Sequence, residues 1–141
     1  MQNIKAFDTC TTYIFKELYS SFPICMDVDT YDALKDDFIG RIDMEQKQKE
    51  LIFSETMYWL SETGFIRFLQ PQNRHKTRQS HPLFLCTVLT EKGLSLLKSK
   101  PQSIDDKTSV GEEIVKAFKD GIGSKAAELA TNAIINYATK G

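Results

Sequence analysis

Cysteines are few in this sequence, and their positions do not suggest a disulfide framework. There are three among 141 residues, Cys10, Cys25 and Cys86, which is an odd number with no short spacing between any two. A paired-cysteine zinc site or a disulfide framework would need closer or more numerous cysteines. We therefore expect buried free thiols, a reducing compartment and no metal.

Long apolar runs are also absent. No stretch approaches the roughly 20 residues that are needed to span a bilayer. The first five residues are not a basic segment leading into an apolar one, so they do not resemble a signal peptide. With 41% hydrophobic and 26% charged residues, the composition is typical of a globular chain that can bury a core. We expect a soluble cytoplasmic protein.

Motifs for catalysis and for cofactors are missing as well. The chain has no glycine-rich phosphate loop and no paired-carboxylate motif. Its two histidines, His75 and His81, have no evident nucleophile or orienting partner. The acidic stretch 27–37 lacks the central glycine and final glutamate of a calcium loop. The expectation is a protein that is not an enzyme and binds no cofactor.

Charge is distributed unevenly along the chain. The net charge is −1 overall, but residues 1–63 carry −6, residues 64–82 carry +4 without a single acid, and residues 83–141 carry +1. If the protein binds nucleic acid, this basic segment is where contact would occur; the alternatives are a solvated loop tip and a contact with an acidic protein partner.

The first half of the chain predicts helices separated by turns. Residues 4–19 place apolar side chains at the spacing of one helix face. Residues 24–28 predict a short strand, and residues 29–38 a short helix. The inward face of that short helix would carry Tyr31, Leu34 and Phe38.

A longer helix follows, predicted to run from Asp43 to about Thr63. Acidic residues in its first turn suit the positive end of the helix dipole. Its inward face would carry Ile52, Phe53, Thr56, Met57, Trp59 and Leu60, and Gly64 would end it.

Two strands, residues 65–69 and 83–89, then flank the polar segment 70–82 and predict a β-hairpin with a long tip. Thr90 is the expected N-cap of a short helix that ends near Leu97. Residues 100–108 are polar and predict a linker between a domain at 1–99 and a C-terminal element at 109–141.

The last segment predicts a long amphipathic C-terminal helix. Ser109 and Glu112 have the spacing of a capping box, and glycines at 121 and 123 predict a bend. The apolar stripe must be buried in its own domain, in a second copy or on a foreign surface. The partner-interface residues are expected to be Ile114, Phe118, Ile122, Leu129 and Ile134.

Two short segments, residues 59–67 (WLSETGFIR) and 88–94 (VLTEKGL), carry a resemblance. In this pattern a helix ends at a glycine and enters a strand, and the second strand leads through a threonine into a short glycine-containing helix. Together with the order of the elements, it resembles the winged-helix (winged helix-turn-helix) superfamily. The resemblance implies a mainly α fold with a small β-hairpin wing, and such regulators often form homodimers through terminal helices.

The resemblance further implies that helix 43–63 reads DNA and that residues 70–82 form the wing tip. Glu45, Glu50, Glu55 and Glu62 on that helix would repel phosphate, whereas the wing has no acid. The residues expected to contact double-stranded DNA are Lys47, Lys49, Arg67, Asn73, Arg74, His75, Lys76, Arg78 and Gln79.

A different class of function stays open. The domain and its terminal helix could form a module that binds another protein or docks on a membrane surface without touching DNA. The acidic residues of helix 43–63 favour this alternative, and the acid-free wing favours DNA. On the terminal helix the acidic and basic side chains balance, so membrane docking is the weaker form of the alternative.

Overall fold

A computed structural model describes residues 2–69, 82–99, 108–121 and 123–140. Within these residues the chain is mainly helical, with one small antiparallel sheet. The helices are α1 (Gln2–Ser21), α2 (Thr30–Lys35), α3 (Asp37–Gly40), α4 (Gln46–Glu62), α5 (Glu91–Lys98), α6 (Val110–Lys119) and α7 (Gly123–Lys140). The strands are β1 (Met26–Asp29), β2 (Ile66–Leu69) and β3 (Leu83–Leu89).

Helix α1 lies at the centre of the core. It contacts α4 near one side and α6 and α7 near another, because apolar side chains occupy more than one stripe of its surface. Its side chains that are at most 1% exposed include Cys10, Ile14, Phe15 and Leu18. The core therefore depends on both the N-terminal and the C-terminal helices.

The three strands form a sheet in the order β1-β3-β2, with both pairs antiparallel. The predicted pairing of the two hairpin strands is confirmed, and the short strand β1 adds to the other side of β3. Strand β3 places Phe84 in the core, and its last three residues, Thr87, Val88 and Leu89, are also buried. One sheet face thus closes the core over α1 and α4.

The single helix predicted over residues 29–38 is instead two short helices. Asp36 has an extended backbone between them, ends α2, and accepts a hydrogen bond from the Phe38 amide at the start of α3. Tyr31, which was expected to face inward, is 50% exposed. Leu34 is buried as expected, and Thr30 and Ala33 are buried beside it.

Helix α4 begins later than expected. Its N-cap is Glu45 rather than Asp43, and no side chain caps it. Most of its predicted inward face is buried, but Trp59 is 40% exposed. The Trp59 ring packs edge-on against Phe7 at 5.2 Å, so it lies at the margin of the α1–α4 contact.

The C-terminal segment forms two helices rather than one. The capping box predicted at Ser109 and Glu112 is present. Helix α6 ends before Gly121, whose φ of +74° is one that side chains disfavour, so the predicted bend is confirmed. Both helices contact α1 and α5, and they share one core with the preceding elements. Residues 100–107 of the predicted linker lie outside the described residues.

The cysteines do not behave as expected. Cys25 and Cys86 are joined by a disulfide although 61 positions separate them in the sequence. The prediction of free thiols is wrong for this pair, because antiparallel pairing of β1 with β3 brings the two cysteines together. Cys10 alone is a buried free thiol.

Among the helices that the structure describes, none is long and apolar enough to cross a membrane.

Candidate nucleic-acid interface

The two segments that carry the winged-helix resemblance meet in one junction between α4, β2 and α5. The Thr90 hydroxyl donates to the Gly64 carbonyl and accepts from the Gly93 amide. The Thr90 amide donates to the Phe65 carbonyl at 3.1 Å. One threonine thus caps α5, as predicted, and also fastens α5 to the turn that follows α4.

Gly93 is required for this close approach. A Cβ atom at this position would lie 2.0 Å from the Phe65 carbonyl oxygen, far inside van der Waals contact. Lys92 completes the junction, since its ammonium donates to the Thr63 carbonyl at 2.7 Å. These contacts therefore fix the end of α4 and the hairpin strands relative to the start of α5.

The base of the hairpin is anchored on its second side as well. The Thr30 hydroxyl donates to the Pro82 carbonyl at 2.8 Å, and the Thr30 amide donates to the same oxygen at 3.3 Å. Thr30 is fully buried. The acid-free segment between β2 and β3 thus joins two fixed ends, one at β2 and the other at the start of α2.

Most of the residues expected to contact DNA belong to that segment. Asn73, Arg74, His75, Lys76, Arg78 and Gln79 all lie outside the described residues. The structure does describe the stem below them, where Arg67 is exposed on β2 opposite Val88. Leu69 and Leu83, at the ends of the strands, are also exposed.

The two remaining predicted DNA contacts lie in the first turn of α4 and differ in their surroundings. Lys47 is exposed between Gln46 and Gln48. Lys49 is half-buried, and its ammonium donates to the Gly40 carbonyl at 3.0 Å. This bond ties Lys49 to the end of α3, so Lys47 is the more accessible of the two cations.

The rest of the exposed α4 surface has a different character. No lysine or arginine occurs in residues 50–62. Glu55 and Glu62 are exposed there, and Leu51 and Trp59 are 59% and 40% exposed. Leu51 was not among the residues predicted to face outward, and the one signal for it in the sequence is that it does not belong to the predicted inward face of the helix.

The residues expected at a dimer or partner interface are mostly used within the chain. Ile114 is 1% exposed and packs in the chain's own core. Phe118, Leu129 and Ile134 are half-buried against the core, and Ile122 lies outside the described residues.

The small side chains of α7 are also turned inward. Ala126, Ala130 and Ala133 are all buried, where they let α7 lie close to its neighbours. Asp8 of α1 bonds to Thr131 of α7, and partial burial raises the pKa of that carboxyl above its ordinary value. On the outer side of α7, Ile135 is 54% exposed.

A surface groove of about 510 Å³ lies between α1, α3 and α6. Its wall includes the rings of Phe38 and Phe118, which meet edge to face at 4.7 Å. The Lys16 ammonium lies 5.0 Å from the Phe118 ring centroid. Cations and carboxylates both line the groove, so its charge does not select one class of ligand.

A metal site would need several His, Cys, Asp or Glu side chains close together. In the part of the chain that the structure describes, no group of three or more could hold an ion. Comparison of the whole chain with protein-family models, with curated proteins and with solved structures gives no match.

Proposed function

We propose that this chain is a non-catalytic winged-helix protein that binds double-stranded DNA through its β2–β3 hairpin. The arrangement of elements supports this assignment. Helix α4 passes through Gly64 into an antiparallel hairpin, and β1 completes a sheet in the order β1-β3-β2. The fold alone does not imply DNA binding, and the distribution of charge is what favours it.

The observation that carries the proposal is the acid-free segment at the hairpin. Residues 64–82 hold four cations and no acid, while residues 1–63 carry −6. The ends of the segment are fixed by the Thr90–Gly64 and Thr30–Pro82 hydrogen bonds. A concentrated basic segment on a fixed base can contact phosphates without a requirement for base sequence.

Helix α4 has a limited part in this mode of binding. Its first turn offers Gln46, Lys47 and Gln48 to solvent, at the end of the helix that favours anions. Glu55 and Glu62 farther along would repel phosphate. We therefore infer that the protein contacts the DNA backbone mainly with the hairpin and does not read bases along the length of α4.

The test measures binding of the full chain to a random-sequence DNA duplex. Fluorescence anisotropy reports the binding constant at each of a series of salt concentrations. The triple variant Arg74→Ala/Lys76→Ala/Arg78→Ala should lower the slope of log K against log salt by about 2 to 3, since each phosphate contact contributes roughly 0.9. The matched control is Lys116→Ala/Lys119→Ala/Lys125→Ala, which removes three exposed cations from α6 and α7.

The control variant should keep the wild-type slope. Equal losses in the two triple variants would show that only net charge matters, and absence of binding at low salt would refute the DNA proposal.

A second candidate function is a protein-interaction module, and the exposed surface of α4 favours it. Leu51 and Trp59 are exposed beside Glu55 and Glu62, a combination that suits a partner with apolar and basic side chains. Cross-linking in cells followed by mass spectrometry would identify such a partner. Leu51→Glu should abolish the cross-link, whereas Ile24→Glu, at a site 73% exposed elsewhere, should preserve it.

Dimerisation through the C-terminal helices remains a proposal. The surface of these helices that is open to a second copy is smaller than the sequence implied. The chain's own core takes Ile114 and the α7 alanines. A second copy would have to use Ile135 together with the half-buried Leu129 and Ile134. Light scattering on the wild type and on Ile135→Glu measures this directly, because a dimer that uses this surface should become monomeric in the variant.

A further inference from the structure

The Cys25–Cys86 pair lies at the surface of the sheet and outside the core. Cys86 is exposed, Cys25 is half-buried, and neither belongs to the cluster of buried core side chains. Their Cα atoms are 4.7 Å apart. Because the core does not include these side chains, the fold should persist whether the two sulfurs are bonded or not.

The pair coincides with an irregularity in the central strand. Along β1–β3 the register passes from Met26–Thr87 to Val28–Phe84, and so β3 has one residue more than β1 in this interval. The pairing of β2 with β3 shifts over the same part of β3. Such an extra residue is a β-bulge, which bends and twists the strand that carries it.

Cys86 has an unusual backbone conformation within this bulge. Its φ is 51°, in the left-handed region that residues with a side chain disfavour. Two interactions hold it there. One is the disulfide to Cys25, and the other is a hydrogen bond from the Cys86 amide to the Asp27 carboxylate at 3.0 Å.

We propose that Cys25 and Cys86 form a reversible dithiol–disulfide switch that controls how firmly the hairpin stem is held. The inference does not depend on DNA binding. With the disulfide in place, the bulge is held from two sides and β1 is linked covalently to β3. With the two thiols, the covalent link between β1 and β3 is gone while the Asp27 hydrogen bond remains, so the bulge can relax.

The oxidant is a low-molecular-weight disulfide such as glutathione disulfide. The exposed Cys86 thiolate attacks one sulfur of the oxidant and expels a glutathione thiolate, which leaves a mixed disulfide on Cys86. The Cys25 thiolate then attacks the Cys86 sulfur and expels the second glutathione. Two protein thiols lose two electrons and two protons, and one glutathione disulfide becomes two glutathione molecules.

Reduction of the Cys25–Cys86 disulfide should change the dynamics of the sheet and not those of the core helices. A non-glycine residue held in the left-handed region is disfavoured to an extent that corresponds to about 5- to 30-fold in an opening equilibrium. Amides of β1 and β3 should therefore exchange with solvent faster by about that factor in the reduced chain. Amides in the middle of α1 and α4, which are held by the buried core, should keep their protection.

The experiment equilibrates the full chain in buffers of different glutathione to glutathione disulfide ratio. Alkylation with a mass tag measures the oxidised fraction, peptide mapping identifies the bonded cysteines, and hydrogen–deuterium exchange measures local opening. We expect a reversible transition between a dithiol and a Cys25–Cys86 disulfide, with faster exchange confined to the sheet after reduction. Cys25→Ser/Cys86→Ser should show the reduced exchange pattern at every ratio, and Cys10→Ala should retain the transition.

Three results would overturn the proposal. Loss of protection throughout α1 and α4 after reduction would show a disulfide that the whole fold requires. Equal exchange in the sheet before and after reduction would show a crosslink without conformational consequence. Failure of the pair to oxidise at any ratio, or a bond between two chains, would show that these cysteines do not form the switch.

Discussion

The ammonium of Lys92 donates a hydrogen bond to the main-chain carbonyl of Thr63 at 2.7 Å. It also lies 4.5 Å from the centroid of the Phe65 ring. The Thr63 carbonyl is near the end of α4, where main-chain oxygens lack partners within the helix and attract positive charge. A side chain of α5 thus stabilises the end of α4. The β2–β3 hairpin lies between these two helices in the sequence.

Gly93 should tolerate no side chain, because a Cβ atom would collide with the Phe65 carbonyl at 2.0 Å. We expect Gly93→Ala to lower the free energy of unfolding by about 3 kcal/mol, the upper part of the usual range for overpacking. Urea denaturation measures the change. Gly40→Ala is the control, since the nearest atom to a Cβ there is 3.9 Å away and the effect should stay within about 0.5 kcal/mol. Equal effects would contradict the close contact.

Thr90→Val should cost about 2 kcal/mol of stability, because it removes the helix cap at Gly93 and the hydrogen bond to Gly64 together. Thermal unfolding provides the measurement. Thr9→Val is the matched control, since the Thr9 hydroxyl donates to the Lys5 carbonyl one turn earlier in α1 and does not join two elements. A loss in the control as large as that in Thr90→Val would indicate a general effect of valine and not the junction.

Cys10 should be unreactive while the chain is folded, because burial raises the pKa of its thiol to about 12 and reagents attack the thiolate. Without reductant, Ellman's reagent should titrate no thiol in the native chain and one after denaturation, whereas prior reduction should release two more from the Cys25–Cys86 disulfide. Rapid reaction of the native, oxidised chain would contradict the burial of Cys10.

The same shift predicts how stability depends on pH. The folded-state pKa of Cys10 is above the ordinary value of 9.0, so the unfolded chain loses this proton first. The contribution of Cys10 is complete below about pH 9 and is lost as pH rises toward 12, with a slope of about 1.4 kcal/mol per pH unit. Denaturation curves for the wild type and for Cys10→Ala should differ in this slope, and parallel curves would argue against the shift.

Ala130→Leu should destabilise the chain by about 2 kcal/mol, because Ala130 is fully buried in α7 and the added atoms have no space. Asn132→Leu makes a similar change at an exposed position of the same helix and should have little effect. Denaturation at several protein concentrations provides the measurement. A loss of stability that disappears at high concentration would place Ala130 in a contact between chains.

The features that the sequence predicted correctly are local ones. Thr90 and Ser109 each cap a helix through an amide three residues later, an interaction that depends only on neighbouring residue types. Gly121 marks a bend for the same reason, since a glycine with positive φ ends a helix whatever lies nearby.

The features that could not be predicted from the sequence depend on contacts between distant parts of the chain. Cys25 and Cys86 are 61 positions apart, and only the pairing of β1 with β3 shows that they meet. The outward position of Tyr31 follows from the break at Asp36. Lys49 could not be recognised as a partner of Gly40 before the angle between α3 and α4 was known. Ile114 was assigned to an interface because the packing of α6 on α1 was not foreseen.

The packing of α7 against α1 has a consequence for how the protein forms in the cell. Helix α1 is synthesised before α7, and the surface that includes Asp8 is covered only when Thr131 and its neighbours arrive. Domains tend to fold as units while the ribosome adds residues in order. Because α1 precedes α7 in the chain, the side of α1 that α7 covers stays exposed until α7 has emerged from the ribosome, and this part of the core is completed only then.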